Sequence, residues 1–346
     1  MGKSVETAKY SIVVPVYNEE ESFPDLVKRL TEVMDLLDGP AEVVLVDDGS
    51  RDSSYPLMLE ANRQDSRFKV LQLSRNFGHQ VAITAGMDAA SGQAVIVMDA
   101  DLQDPPQVIL EMAAKWQEGY EVVYAVREQR EGETMFKKTT ATLFYSLLRR
   151  MADIEQPVDV GDFRLVDRKA LDAFLQMRER NRYVRGMFSW IGFRQAAVPY
   201  TRASRHAGRS KYPLRKMLGL ASDGFVGFST APLRFALMAG VLLAIGAIGY
   251  GVIAIALKLA GLPYVPGYAS LLVTITFLSG IQLIVIGMVG QYVARTYDEA
   301  RGRPLYLVRD AYGFTTNGEE NEPTRWRAEG DGTGAPSQHP PPRPAP

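Results

Sequence analysis

The chain has 346 residues, 39 basic and 40 acidic side chains for a formal net charge of −1, and no cysteine. That length admits one large domain with an appendage, or two domains, and the balanced charge argues against a nucleic-acid partner held by a basic surface. The missing thiols exclude disulfides and thiolate metal sites, in keeping with a reducing compartment. Residues 1–10 are polar and lack the apolar core of a signal peptide, so the soluble part is expected to stay where it is made.

Ser11-Ile12-Val13-Val14-Pro15-Val16 reads as a first strand, followed by Tyr17-Asn18-Glu19-Glu20-Glu21. Asn18 stands three residues before Glu21, the spacing of a helix cap, and Leu26, Leu30, Val33, Met34 and Leu37 then recur at helical period. A second strand, Val43–Val46, delivers Asp47-Asp48-Gly49-Ser50 at its carboxyl end, and a Leu- and Met-rich helix follows. A third, Val70–Leu73, ends in Ser74-Arg75-Asn76-Phe77-Gly78-His79 before a helix over Val81–Ala90. A fourth, Val95–Met98, ends in Asp99-Ala100-Asp101-Leu102-Gln103-Asp104, and a fifth, Val122–Ala125, ends at Arg127.

Strands alternating with helices predict parallel βαβ units, hence an α/β fold with a mostly parallel sheet. Ligands of such sheets bind outside the carboxyl ends of the strands. Every polar motif above stands at such an end, whereas structural loops alone would scatter charge over both edges. That coincidence points to a nucleotide site. Within it, Asp99 and Asp101 can both face one divalent cation, with Gln103 adding a neutral oxygen; this set suits Mg²⁺ or Mn²⁺ on a diphosphate.

A helix is expected over about 133–152, covering the sheet. Asp159-Val160-Gly161-Asp162-Phe163-Arg164-Leu165-Val166 is a glycine turn feeding a short apolar stretch, with a helix from near Asp167. Residues 180–212 are basic and aromatic, where cations can meet a lipid phosphate or anionic headgroups. Over 212–231, Leu214, Met217, Leu218, Ala221 and Phe225 share one helical face, as in a helix lying in the headgroup layer.

No charged residue occurs from Phe235 to Leu257, nor from Leu259 to Ala294, a span interrupted by Gly261–Gly267. Each flank exceeds the roughly 20 apolar residues that cross a bilayer core, which predicts two transmembrane helices within 232–296. Arg234 precedes the first while Arg295, Arg301 and Arg303 follow the second, so both outer ends are expected in the cytoplasm, with Lys258 the dissenting charge. Glycines at 240, 246, 249, 251, 280, 287 and 290 allow close helix contact and self-association. The division expected is a cytoplasmic catalytic domain (1–211), an interfacial segment, the helix pair, a cytoplasmic segment (297–314) and a disordered Pro- and Gly-rich tail (315–346).

The motifs Val13-Val14-Pro15-Val16-Tyr17-Asn18-Glu19-Glu20, Val46-Asp47-Asp48-Gly49-Ser50, Leu73-Ser74-Arg75-Asn76-Phe77-Gly78 and Asp99-Ala100-Asp101-Leu102-Gln103-Asp104 resemble those of family-2 glycosyltransferases with the GT-A (Rossmann-like) fold. With Gly161-Asp162-Phe163-Arg164, Gly208-Arg209-Ser210-Lys211 and the paired helices, the chain is similar over about 10–312 to the polyprenyl-phosphate branch, which includes bactoprenol glucosyltransferases and dolichyl-phosphate-mannose synthase.

The resemblance implies that Pro15, Tyr17, Glu19, Asp47 and Asp48 surround uracil and ribose, either aspartate accepting the uracil N3–H, with Arg75 and Asn76 at the nucleotide edge. It implies that Asp99, Asp101 and Gln103 hold the metal, and that loss of either aspartate abolishes turnover. Asp162 is the implied general base, with Asp159 a weaker candidate. A lipid monophosphate is mostly a dianion at neutral pH and needs little deprotonation, which leaves Asp162 the alternative of orienting acceptor or sugar. Arg127, Arg202, Arg205, Ser210 and Lys211 are the candidates for the lipid phosphate or the diphosphate.

The implied reaction is inverting transfer of a hexose, glucose from UDP-glucose first, to undecaprenyl phosphate at the cytoplasmic face of the inner (plasma) membrane. Mannose, galactose, N-acetylglucosamine or a modified arabinose stays open as the sugar. Family analogy adds a homotetramer. A processive polysaccharide synthase would carry Gln-x-x-Arg-Trp; the nearest match, Arg325-Trp326, has Glu322 where Gln is needed. A non-catalytic membrane binding protein is the rival from another class, and the intact Asp99, Asp101 and Asp162 argue against it.

Overall fold

A computed structural model describes residues 8–127, 160–180, 182–201, 231–260 and 267–314. The expected helix over 133–152, the interfacial segment, the inter-helix turn and the tail lie outside the described residues, as do Asp159, Arg202, Arg205, Ser210 and Lys211.

The described strands are β1 (Tyr10–Val16), β2 (Ala41–Asp47), β3 (Phe68–Leu73), β4 (Ala94–Val97), β5 (Val122–Arg127), β6 (Val160–Asp167), β7 (Gln195–Tyr200) and β8 (Val308–Tyr312). They form one sheet in the order β7-β5-β6-β4-β1-β2-β3-β8. The block β4-β1-β2-β3 is parallel. β6 inserts antiparallel between β4 and β5, β7 runs parallel to β5, and β8 closes the far side antiparallel to β3. The carboxyl ends of β1 to β5 and β7, and the starts of β6 and β8, therefore share one edge.

The strands are apolar on both faces because helices cover both. Ile12, Val14 and Leu45 pack with Leu26 and Leu30 of α1 (Phe23–Leu36), Met58 of α2 (Ser54–Gln64) and Ile109 of α4 (Val108–Gln117). Val13, Val46 and Val97 pack with Ile83 of α3 (His79–Ala89), Leu171 of α5 (Arg168–Leu175) and Phe188 of α6 (Val184–Trp190). α3 lies so close to the sheet that a Cβ on Gly86 would fall 2.3 Å from Val13 Cγ1. α5 starts where the sequence predicts, with the Asp167 carboxylate accepting the Lys169 N–H.

Pro15 sits inside a central strand, which its missing N–H normally forbids. Val13 turns its carbonyl to the Met98 N–H, and Pro15, two residues on, faces the same side just past the last β1–β4 pair, where no donor is required. Asn18 is not the cap of α1. That helix starts at Phe23 with Ser22 before it, and Asn18 instead adopts a left-handed backbone, φ 55°, with its side chain bonded elsewhere.

At the edge opposite the motifs, buried Glu42 accepts hydrogen bonds from Ser11 Oγ (2.6 Å) and Ser91 N–H (2.9 Å) and pairs with Lys69 at 2.5 Å. Although burial opposes ionisation, these partners hold its pKa below the usual value.

Beyond the sheet, α7 (Ala231–Leu259) and α8 (Tyr268–Ala300) have 29 and 33 residues. α8 contains, over Val273–Ala300, a stretch long and apolar enough to cross a bilayer, while α7 contains a shorter apolar stretch, Gly240–Tyr250. Of the two spans the sequence predicts, one meets that measure among the described residues. Leu242, Ile245 and Ile248 on α7 and Leu283, Ile284 and Ile286 on α8 are exposed.

Candidate active site

The loops after β1, β2 and β3 are tied together by their own polar groups. Asn18 Oδ1 accepts the Arg51 N–H at 2.8 Å, its N–H donates to Ser50 Oγ, and the Glu19 N–H donates to Ser54 Oγ at 2.8 Å. Asp47, fully buried, accepts the Ser50 N–H at 2.9 Å and Gln72 Nε2 at 3.2 Å. Asp48 accepts the N–H groups of Phe77 (2.7 Å) and Gly78 (3.0 Å); burial pushes its pKa up against those two bonds. Gly49 has φ +72°, and a Cβ there would lie 2.7 Å from Asn76 N, so the turn after β2 touches the loop after β3 backbone to backbone. Both aspartates thus spend oxygens on fixing loops. Tyr17, Arg75 and Asn76 are among the exposed residues at this part of the edge, and the Arg75 guanidinium lies 3.9 Å over the Phe77 ring.

Asp99 follows β4. Its Oδ1 is shut off from solvent and has no hydrogen-bond partner, although the side chain as a whole is about one-third exposed. The His79 imidazole Nε2 lies 3.3 Å from Asp99 Oδ1 and also 3.3 Å from Asp162 Oδ2; burial works to lower its pKa, but the two carboxylates raise it. Burial pushes Asp99 up to about 6; His79 opposes the shift, and the charges of Asp162, Asp104 and Asp101 add to it. Asp162, at the start of β6, is gripped by Arg185 of α6, Nε to Oδ1 at 2.9 Å and Nη2 to Oδ2 at 3.1 Å, and by Gln80 Nε2 at 3.2 Å. Burial works to raise its pKa, but the bonds from His79 and Arg185 hold it far below the usual carboxylate range. Beneath it, Arg164 is buried with its guanidinium carbon 4.7 Å over the Phe188 ring, and burial lowers its pKa to about 10.

Asp101 Oδ1 accepts the Gln103 N–H at 3.1 Å, and Leu102 between them is left-handed, φ 54°. That turn carries Gln103 and Asp104 into the protein. Asp104 accepts the hydroxyl of Tyr200, at the end of β7, and that hydroxyl accepts Arg127 Nε at 3.2 Å. Burial and Asp104 push the Tyr200 phenol up to about 12, so it stays a donor.

With this edge assembled, the chain can be set beside known proteins. Residues 11–175 match the family model described as glycosyl transferase family 2. The chain is 52% identical over 306 residues to uncharacterized glycosyltransferase YkcC of Bacillus subtilis (strain 168), covering 88% of this chain and 95% of that one. The chain belongs to glycosyltransferase family 2. This glycosyltransferase is also 40% identical over 301 residues, 87% of its own length and 98% of the other, to the prophage bactoprenol glucosyl transferase homolog of Escherichia coli (strain K12). Among solved structures it is similar to mannosyltransferase PcManGT from Pyrobaculum calidifontis in complex with GDP-Man and Mn2+, at TM-score 0.46 and 18% identity over 84% of this chain and 88% of that one.

Among the described residues of the glycosyltransferase, no three His, Asp or Glu side chains converge closely enough to enclose a metal by themselves. The dry Oδ1 of Asp99 nevertheless accepts no hydrogen bond and has only the His79 imidazole within ion-pair distance, with Asp101 two residues away. A hard cation of the Mg²⁺ type takes one or two carboxylates from the protein and the rest of its shell from water and substrate phosphate. The donor set fits such an ion.

Sequence reasoning did not assign His79, Gln80, Arg185, Asp104 or Tyr200. His79 closes a motif that was read for its neighbours, and Arg185 lies in a basic run. Only the insertion of β6 beside β4 brings residues 79, 80, 162 and 185 together, and no spacing along the chain announces it.

Proposed function

We propose that this glycosyltransferase moves a hexose, glucose from UDP-glucose first, to undecaprenyl phosphate at the cytoplasmic face of the membrane, with inversion. One observation carries the reading. The chain leaves the sheet at Tyr200 and re-enters it at Val308, both on the edge that holds Asp99 and Asp162, with α7 and α8 between. A segment whose two ends belong to one sheet crosses a bilayer an even number of times. α8 is long and apolar enough for one crossing, which supports the reading of α7 as the return and of a motif edge that faces the lipid. Relatives named bactoprenol glucosyl transferase agree with a lipid acceptor and with glucose.

On this reading the nucleotide lies among Tyr17, Glu19 and Arg75, over loops fixed by Asp47 and Asp48, with Pro15 shaping the floor. Asp99 and Asp101 would hold Mg²⁺ or Mn²⁺, with buried Gln103 acting through the N–H that it donates to Asp101. When bound, that ion neutralises charge on the departing diphosphate. A phosphate oxygen of the acceptor attacks the anomeric carbon from the face opposite UDP; the bond to UDP breaks and its electron pair leaves with the nucleotide. Because Asp162 is held ionised by Arg185, it is a weak base, and the acceptor, mostly a dianion at neutral pH, does not need one. Asp162 orients the reactants instead. Arg127, braced by Tyr200, offsets repulsion between the two phosphorylated substrates, together with Arg202, Arg205, Ser210 and Lys211. Anchoring raises the effective concentration of the acceptor without added affinity.

The test is the full chain in nanodiscs with undecaprenyl phosphate and a panel of radiolabelled sugar nucleotides. Transfer from UDP-glucose that gives a β-linked lipid product and stops in excess chelator supports the proposal. A preference for another sugar corrects the donor alone, since donor choice rests on few contacts. No transfer from any donor, or transfer undiminished by chelator, overturns it.

A further inference from the structure

Ser74–Gly78, between β3 and α3, supplies the two amides that grip Asp48. The segment downstream of α8 is fastened to β3 beside that loop and to the last turn of α3, the helix that follows it. On the strand side, the Ser74 N–H donates to the Leu307 carbonyl at 2.8 Å, and β8 continues along β3 from Leu73↔Val308 to Val70↔Tyr312. On the helix side, the hydroxyl of buried Tyr306 donates to Asp88 Oδ2 of α3 at 2.8 Å. The same carboxylate takes both guanidinium nitrogens of Arg178, at 2.7 and 2.8 Å. Arg180 ties the segment's beginning: its N–H donates to Glu299 Oε1 at 2.7 Å, and its guanidinium donates to the Arg303 carbonyl.

We propose that segment 299–312 is a splint for the nucleotide loop, and that Tyr306 and Asp88 are positioning residues for donor binding although neither meets the donor. This rests on the reading of Ser74–Gly78 as part of the nucleotide site. A loop whose first residue is bonded to the segment and whose following helix is held by it has less conformational freedom left to lose on binding than a loop without those ties. Apparent affinity falls with the fraction of molecules in the competent geometry. Once donor is saturating, every molecule is in that geometry and the chemical step is unaffected. Loss of the splint therefore raises the donor KM and leaves kcat alone, a split that general destabilisation does not produce. It also makes the membrane hairpin and the donor loop one mechanical unit, because α8 runs directly into the splint.

The experiment uses full-length Tyr306→Phe, which keeps the ring and removes the hydroxyl. Expected are a three- to tenfold loss of affinity for UDP with Mn²⁺, an equal rise in donor KM, kcat within twofold of wild type, and faster amide hydrogen exchange in the peptide containing Phe77 and Gly78. Unchanged UDP affinity and exchange, or a fall in kcat at constant KM, overturns the proposal. Arg180→Ala, at the other end of the segment, is the second variant and must give the same split if Tyr306→Phe folds poorly. Should the wild type itself bind no UDP, the nucleotide-site reading fails, and the exchange measurement still decides whether the segment pins the loop.

Discussion

Arg185 closes on Asp162 through two contacts, Nε to Oδ1 at 2.9 Å and Nη2 to Oδ2 at 3.1 Å. Asp162 is nearly fully buried while Arg185 is partly exposed, so the pair is asymmetric. Removing the cation leaves a buried anion with only His79 and Gln80 in direct contact, which costs about 3 kcal/mol; removing the anion leaves Arg185, which water can reach, and buried Arg164, which keeps its bond to the Gly161 carbonyl. Arg185→Gln is therefore expected to lower the melting temperature more than Asp162→Asn, while both lose transfer. Equal melting temperatures for the two variants would contradict the assignment.

Asp99 Oδ1 has no hydrogen bond to lose. Asp99→Asn is expected to leave the metal-free melting temperature at pH 7 no lower than that of the wild type, while turnover drops by about a hundredfold or more, as does that of Asp101→Asn. Titration of Mn²⁺ by electron paramagnetic resonance separates the roles: both variants weaken Mn²⁺ binding in the presence of UDP. Wild-type Mn²⁺ affinity in either one removes that residue from the metal set.

Glu42 and Lys69 supply a pH test remote from the chemistry. The folded pKa of Glu42 is depressed, so its contribution to stability is complete above the unfolded value of about 4.3 and is lost as pH falls through the folded value. Lys69→Met strands the buried carboxylate at a cost of about 3 kcal/mol near neutrality. The stability gap between wild type and variant is expected to be widest at pH 7 and to narrow with acidification, first as Glu42 of the variant and then as Glu42 of the wild type takes up a proton. Melting curves from pH 3.5 to 8 check this; a gap independent of pH refutes it.

The absence of cysteine makes topology directly measurable. The proposed paired crossing of α7 and α8 predicts that Tyr264→Cys, between the two helices in sequence, reacts with an impermeant maleimide on intact cells, whereas Asn317→Cys reacts only after lysis. Protection of both positions, or labelling of both, rules out the paired crossing.

What the sequence made legible was local. The strands β1 to β5 and their polar ends follow from apolar runs and from residues that cannot continue a strand, and the structure sets those ends on one edge. β6, β7 and β8 carry weaker local signals: Val160–Asp167 is a short apolar stretch after a glycine, Gln195–Tyr200 lies within a basic run, and Val308–Tyr312 lies in the segment that follows the second long helix. Each gains its strand character from a partner distant in the chain. Asn18 shows the opposite failure. Its spacing suited a cap, but the hydroxyls of Ser50 and Ser54 and the Arg51 amide drew its loop toward β2 instead.

The position of β8 at the sheet margin also sets a schedule for biosynthesis. β3 emerges from the ribosome early, yet the strand that covers its outer side comes after both long helices. At common elongation rates the intervening stretch takes roughly 10–50 s to make. Throughout that interval the nascent sheet presents an uncovered row of backbone donors and acceptors, the kind of margin on which neighbouring chains aggregate. Maturation of the sheet therefore waits on completion of α7 and α8, and a chain cut short at Ala300 keeps that margin open for good.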